Sequence, residues 1–69
     1  MAFGKVKSFD ARKGAGLITP EAGGEDVFLH ISVVERAGLS NLTAGERVSY
    51  DLQTDRARGR SYATNLELA

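Results

Sequence analysis

Five short segments of alternating apolar and polar residues account for most of this 69-residue chain, and turns rich in glycine or charge separate them. An alternation with a period of two is typical of a β-strand that buries one face. We expect strands at residues 3–10, 15–19, 26–31, 46–54 and 61–68. A flat sheet of this size cannot cover the apolar faces of its strands. The pattern therefore predicts an all-β fold, with the strands curled into a closed or nearly closed barrel as one domain over residues 1–69.

The segments between the predicted strands carry turn and helix signals. Pro20 ends the second strand because it has no amide hydrogen for an interior ladder. Two adjacent glycines favour a hairpin loop after it. Between the third and fourth strands, Ser32 and Glu35 match the Ser-x-x-Glu capping pattern. This pattern predicts one helical or 3₁₀ turn capped by Ser32 and stopped by Gly38.

The alternation also predicts which side chains share a face of each strand. In the third strand, Phe28 and His30 point away from the core candidates, Val27 and Leu29. The fourth strand groups Val48, Tyr50 and Leu52 on one face. The fifth strand groups Tyr62, Thr64, Leu66 and Leu68 in the same way.

The rarity of metal-binding and nucleophilic residues excludes several function classes. The chain has no cysteine and one histidine, so disulfides are impossible and a structural zinc site is disfavoured. We expect no cofactor. An enzyme is not expected either, because a triad built on His30 and Ser32 also needs an orienting carboxylate that the sequence does not place. No apolar run is long enough for a signal peptide or a membrane span. We therefore expect a cytoplasmic monomer without a membrane partner.

Charge is balanced over the chain but uneven along it. Nine basic and nine acidic residues give a net charge of zero, which by itself argues mildly against a polyanionic partner. Residues 1–13, however, hold four basic residues and one acid, and residues 56–60 hold three arginines and no acid. Zero net charge therefore limits long-range attraction but leaves room for a local phosphate track.

The second predicted strand begins in a glycine motif, Lys-Gly-Ala-Gly-Leu-Ile at residues 13–18. Its spacing fits neither a Walker phosphate loop nor a dinucleotide-binding fingerprint. Glycine at alternate positions lets a neighbouring backbone or a ligand base approach the sheet closely. A tight strand entry at a barrel corner and a role in ligand binding are both open.

Three segments carry a more specific signal when they are taken together. They read Gly-Lys-Val-Lys-Ser-Phe-Asp at residues 4–10, Lys-Gly-Ala-Gly-Leu-Ile-Thr-Pro at 13–20 and Asp-Val-Phe-Leu-His-Ile-Ser at 26–32. In order and spacing the chain resembles the bacterial cold-shock domain family, whose motifs are Lys-Gly-Phe-Gly-Phe-Ile and Val-Phe-Val-His-Phe. The similarity continues through residues 42–50 and 63–66. The resemblance implies a five-stranded antiparallel oligonucleotide-binding barrel, the OB-fold, whose partner is single-stranded RNA or DNA. It also implies RNA-chaperone activity or regulation of transcription or translation in a cold-shock-type response.

The resemblance implies a binding face where aromatic rings stack on unpaired bases and basic side chains follow the phosphates. The residues that match the family's binding positions are Lys7, Phe9, Lys13, Leu17, Phe28 and His30. The basic turn adds Arg56, Arg58 and Arg60, and Arg60 stands where the family usually has proline. Arginine binds phosphate in a bidentate manner and stacks on bases. For Phe9, packing and binding are equal alternatives. For the lysines and arginines, the alternative is a solvated strand or turn residue.

The chain departs from the family at positions that usually carry aromatic rings, which are occupied here by Ser8, Ala15, Leu17, Ile31 and Leu39. If each missing ring costs about 1 kcal/mol of stacking, affinity falls by several powers of ten relative to a typical member. The first hypothesis is therefore weak, sequence-tolerant binding of single-stranded nucleic acid. The alternative is a protein-interaction or regulatory module that uses the last four of these residues as an exposed apolar patch. The chain is also one residue longer than the family pattern near residue 60, which leaves open how Ser61 and Tyr62 face.

Overall fold

Five β-strands and one short α-helix form the regular structure, and the computed structural model describes every residue from 1 to 69. The elements are β1 (Ala2–Asp10), β2 (Ala15–Pro20), β3 (Val27–His30), α1 (Ile31–Arg36), β4 (Arg47–Asp55) and β5 (Arg60–Leu68). The ends of all five strands lie within one residue of the predicted bounds. The single helix has six residues, and no helix has the length and apolar character needed to cross a membrane.

The strands close into a barrel in the order β1-β2-β3-β5-β4, with β4 paired to β1. This confirms the predicted five-stranded barrel. Four of the seams are antiparallel, whereas β3 and β5 are parallel, with Phe28 opposite Tyr62. The chain crosses over after β3 and inserts β5 between β3 and β4, and α1 packs against both β3 and β5. The crossover therefore places β5 along the edge of β3, so that the outward faces of the two strands are continuous.

The barrel interior is apolar and receives side chains from every strand and from α1. Its ten buried hydrophobic residues are Val6, Ile18, Val27, Leu29, Val34, Leu42, Val48, Tyr50, Ala63 and Leu66. Burying a large aliphatic side chain contributes about 1.5–3 kcal/mol. Because the chain has no disulfide, this core is the main source of its stability.

The predicted shared face of β4 is buried at Val48 and Tyr50 but not at Leu52, although Leu52 lies opposite the buried Ala63. Val48 and Tyr50 are buried, but Leu52 is 53% exposed. The pairing of β1 with β4 ends where Ala2 lies opposite Tyr50. Leu52 therefore extends past the end of β1, where no strand covers it.

The predicted shared face of β5 is also wrong. Asn65 adopts a left-handed conformation with φ of 49°, and the register between β4 and β5 shifts at this point. Such an extra residue in one strand is a β-bulge, and it reverses the alternation beyond it. As a result Leu66 is buried in the core, whereas Tyr62 and Thr64, before the bulge, lie on the outward face.

The helix begins at a different cap from the one predicted. His30, not Ser32, is the N-cap of α1, and its ring Nδ1 accepts a hydrogen bond from the Ser32 N–H at 3.1 Å. Ser32 Oγ lies 2.9 Å from the same nitrogen. The predicted helical turn is therefore confirmed, but its cap is the histidine at the end of β3, which already supplies the acceptor. Gly38, with φ of 80°, follows the end of the helix as expected.

Gly16 lies where β1 approaches β2 closely, which explains one glycine of the glycine motif. A Cβ atom placed on Gly16 would lie 2.5 Å from the Ser8 carbonyl oxygen and 2.7 Å from Cδ1 of Phe9. The missing side chain thus lets β1 and the Phe9 ring approach β2. At Gly16 the structural interpretation accounts for the glycine without any ligand.

Candidate nucleic-acid interface

The outward faces of four strands join in one continuous row of side chains. Ser8 lies opposite Leu17, Leu17 opposite Phe28, and Phe28 opposite Tyr62. Directly opposed residues in a sheet point to the same side, so these four side chains share one surface. The surface predicted from the first three strands therefore continues onto β5.

Phe28 lies at the centre of this row, between two open clefts. The first, the glycine-motif cleft, has a volume of about 490 Å³ and is lined by Ser8, Phe9, Asp10, Lys13, Ala15, Gly16, Leu17 and Phe28. The second, the arginine cleft, has a volume of about 370 Å³ and is lined by Phe28, His30, Ser32, Val33, Arg36, Asp55, Arg58, Arg60, Tyr62, Ala63 and Thr64. The structure thus brings together seven of the nine predicted site residues, leaving out Lys7 and Arg56.

The half-buried Phe28 ring has polar and charged neighbours of the kind that stack on bases. The ring centroids of Phe28 and His30 are 6.4 Å apart with the planes tilted by 42°. The guanidinium carbon of Arg60 lies 5.2 Å from the Phe28 ring centroid, which is a cation–π contact. A flat aromatic face with an adjacent imidazole and guanidinium can stack on a base and reach its phosphate.

His30 is exposed, and its cap contact decides which of its nitrogens is available. Because Nδ1 accepts from the Ser32 N–H, we assign the proton of the neutral ring to Nε2. The Nε2–H can then donate to a base or a phosphate oxygen. The proximity of His30 and Ser32 is explained by the helix cap.

The predicted basic residues differ in how much of their charge is already paired. The Lys7 ammonium lies 2.8 Å from a carboxylate oxygen of Asp26, whereas Lys13 lines the glycine-motif cleft without an ion-pair partner. Arg58 is 3.9 Å from Asp55. Arg56 is exposed and lines neither cleft.

Phe9 packs in the barrel and also lines a cleft, so its role in binding stays a prediction. The side chain is partly buried and packs against the core cluster. It also lines the glycine-motif cleft beside Leu17. Its ring therefore serves as a wall of that cleft while contributing to the barrel's packing.

Among the residues of the arginine cleft that were not predicted as site residues, one is aromatic and one is basic. Tyr62 faces outward next to Phe28, and Arg36 reaches the cleft from α1. The position of Tyr62 could have been predicted from the sequence, because residues two apart on a strand, such as Arg60 and Tyr62, point to the same face. For Arg36 the chain offers no local signal, because only the packing of α1 against β5 brings it there.

The apolar residues of the alternative hypothesis are partly covered by the rest of the barrel. Ala15, Leu17, Ile31 and Leu39 are all half-buried. Ile31 covers Gly14, where an added Cβ atom would lie 3.1 Å from Ile31 Cγ2. Leu39 packs against the core. These contacts do not favour the alternative.

A third and larger cleft, of about 670 Å³, opens elsewhere on the barrel, among Phe3, Tyr50 and Leu52, with Glu21 and Glu25 in its lining. Arg47 donates two hydrogen bonds to the Glu21 carboxylate, at 2.9 and 3.0 Å. This contact lowers the pKa of Glu21 and raises that of Arg47, whereas burial raises the pKa of Tyr50. Carboxylates at the rim disfavour a polyanion here.

No group of three or more His, Asp and Glu side chains is placed to hold a metal ion. The outward surface offers aromatic rings, hydrogen-bond donors and basic groups. These are the groups by which proteins hold flexible, unpaired strands of nucleic acid.

Comparison with known proteins agrees with this geometry. The family model described as the "Cold-shock" DNA-binding domain matches residues 2–68. The chain is 54% identical to the probable cold shock protein y4cH of Sinorhizobium fredii, with 97% of each chain covered. It is 48% identical to cold shock protein CspA of Rhizobium meliloti over the full length of both. Identity to the cold shock-like protein CspE of Escherichia coli is 43%, with 94% of this chain and 93% of that protein covered. The chain therefore belongs to the cold-shock DNA-binding domain family.

Proposed function

We propose that the protein binds single-stranded RNA or DNA on its outward surface, weakly and with little sequence preference, and that it acts as an RNA chaperone or regulator of gene expression. The observation that carries the proposal is the Phe28 ring between two open clefts, with His30 at 6.4 Å and Arg60 at 5.2 Å. The names of the family and of the cold shock relatives support it.

Stacking supplies affinity with little selectivity, because every base has an aromatic face. Each base–aromatic stack contributes roughly 1–3 kcal/mol. The glycine-motif cleft carries Ala15 and Leu17 where rings are usual in the family, so few strong stacks are available on that side. Weak and sequence-tolerant binding follows.

Unpaired basic side chains supply the remaining attraction. Arg60 and Lys13 have no carboxylate within ion-pair distance, and both line the clefts beside Phe28. Contacts to phosphates release condensed counterions, so binding should weaken steeply as salt is raised. With a net charge of zero, little attraction acts over longer distances.

The test is a fluorescence anisotropy titration with a labelled pyrimidine-rich oligonucleotide at low salt. The Phe28→Ala variant should bind roughly 5- to 150-fold more weakly, which corresponds to the loss of one stack. Phe3→Ala is the matched control, because Phe3, like Phe28, has an arginine guanidinium over its ring but lines the acid-rimmed cleft. Equal affinities for the wild type and Phe28→Ala would remove Phe28 from the interface, and no binding by the wild type would refute the proposed function.

Chaperone activity can be measured with the same proteins. A weak RNA hairpin that carries a fluorophore and a quencher at its ends should brighten when the protein binds and opens it. Phe28→Ala should open the hairpin less than the wild type and Phe3→Ala. Binding without any opening by the wild type would restrict the function to passive binding.

A further inference from the structure

The arginine cleft has all the chemical components of a nucleotide site. Tyr62 provides an aromatic ring next to Phe28, and Arg36, Arg58 and Arg60 provide guanidinium groups around it. The glycine motif lies on the opposite side of Phe28, toward β1 and β2, whereas in the arginine cleft the sequence indicated only Phe28, His30, Arg58 and Arg60. Tyr62 and Arg36 therefore extend the interface beyond the residues predicted from the sequence.

We propose that a bound strand runs from Phe28 into the arginine cleft, where the next base stacks on Tyr62 and Arg36 and Arg60 bind the intervening phosphate. This inference rests on the proposed function, and names the path of the strand over the same surface. It makes β3, β5 and α1 the main nucleic-acid contact of this chain, with β1 and β2 secondary.

The stacking component follows from the pairing of β3 with β5. Phe28 and Tyr62 are directly paired across the seam, and adjacent strands lie only about 4.8 Å apart. Two rings on one surface at this spacing can receive consecutive bases of a flexible strand. On the other side of Phe28, the paired residue is Leu17 and the next is Ser8, and neither has a ring.

The phosphate contact is assigned to the arginines of the cleft that have no carboxylate partner. Asp55 is the one acidic residue that lines the arginine cleft. One of its oxygens accepts from the backbone N–H groups of Ala57 and Arg58, and the other lies 3.9 Å from Arg58 Nε. Neither Arg36 nor Arg60 has an ion-pair partner. The cleft therefore keeps two unpaired positive charges for a phosphate.

Arg60 also has to change its contact when a base binds. Its guanidinium lies over the Phe28 ring, on the exposed ring surface that a base would use. A base that stacks on Phe28 displaces this group, and the unpaired guanidinium is then free to bind the adjoining phosphate. Arginine suits both states because its planar, weakly hydrated guanidinium stacks on aromatic rings and donates bidentate hydrogen bonds to phosphates.

The test compares Arg36→Gln and Tyr62→Leu with the wild type in anisotropy titrations against a labelled oligothymidylate over a range of salt concentrations. Arg36→Gln should reduce the slope of log affinity against log salt by about 0.7, the value for one phosphate contact on a single strand. Tyr62→Leu should weaken binding at least about fivefold and leave the salt slope unchanged. Arg12→Gln is the control, since Arg12 is an exposed turn residue that lines neither cleft.

The outcomes separate this inference from the proposed function. If Phe28→Ala weakens binding while Arg36→Gln and Tyr62→Leu bind like the wild type, the path is wrong and the proposed function stands. An equal loss of salt slope in Arg36→Gln and Arg12→Gln also overturns the path, because it indicates diffuse attraction. Thermal melting checks that each variant is folded. If Tyr62→Leu unfolds, Arg36→Gln alone tests the path, because Arg36 is an exposed residue of α1 whose substitution should not unfold the protein.

Discussion

The His30 ring has a structural contact and a proposed binding contact, and two substitutions can separate them. Nδ1 caps α1 by accepting from the Ser32 N–H at 3.1 Å. His30→Ala removes this acceptor, and the loss of an N-cap side chain costs about 0.5–2 kcal/mol. His30→Asn restores an acceptor, because asparagine is among the best N-cap residues, but it does not restore the ring.

The loss of the cap is large compared with the total stability of so small a chain. At roughly 0.05–0.15 kcal/mol per residue, 69 residues correspond to a free energy of unfolding of about 3–10 kcal/mol. A domain of this size loses about 4–8 °C in Tm for each kcal/mol. We therefore expect His30→Ala to melt several degrees below the wild type and His30→Asn to recover most of that difference.

Two assays on the same three proteins complete the test. Thermal unfolding followed by circular dichroism measures the cap, and anisotropy with a pyrimidine-rich oligonucleotide measures the ring. Both variants should bind more weakly than the wild type, because both lack the imidazole beside Phe28, while only His30→Ala should lose stability. If His30→Asn is as unstable as His30→Ala, the capping argument is refuted. If both bind like the wild type, His30 is a structural residue only.

Two further predictions concern the barrel itself. Gly16→Ala should destabilise the fold by about 1–3 kcal/mol, the usual cost of overpacking, because the new Cβ would lie 2.5 Å from the Ser8 carbonyl oxygen; an unchanged Tm would contradict this. The bond from Arg47 lowers the pKa of Glu21 from its usual 4.5, so its contribution to stability is present above pH 4.5 and is lost as the pH falls through the lowered value. The difference in unfolding free energy between the wild type and Glu21→Gln should therefore shrink below this pH in denaturant titrations, and a difference independent of pH would contradict the assignment.

Most of the barrel could be predicted because its information is local. Alternation marked every strand to within one residue, and Pro20 and Gly38 marked the ends of a strand and a helix. The predicted faces of β4 and β5 differ from the structure where pairing with a distant strand changes the backbone or leaves a residue uncovered. The bulge at Asn65 reversed one face of β5, and Leu52 was left uncovered because β1 ends before it.

Seven of the nine residues predicted from the sequence line the two clefts, but the sequence did not show how far the clefts extend. Phe28 and His30 face outward as the period of β3 requires, and this much follows from alternation alone. The pairing of Lys7 with Asp26 joins residues 19 positions apart, and no local pattern reveals it. The same is true of Arg36, which reaches the arginine cleft only because α1 packs on β5.

The amino-acid sequence by itself determined the strands, the barrel class, the family resemblance and the outward position of Phe28. These depend on periodicity and on residue order, which are local properties of the chain. Only the tertiary structure decided that β5 lies parallel to β3, so that Tyr62 joins Phe28 and Arg60 covers its ring. The physical reason is the closure of the barrel, because the energy gained by burying one shared core selects which distant strands become neighbours.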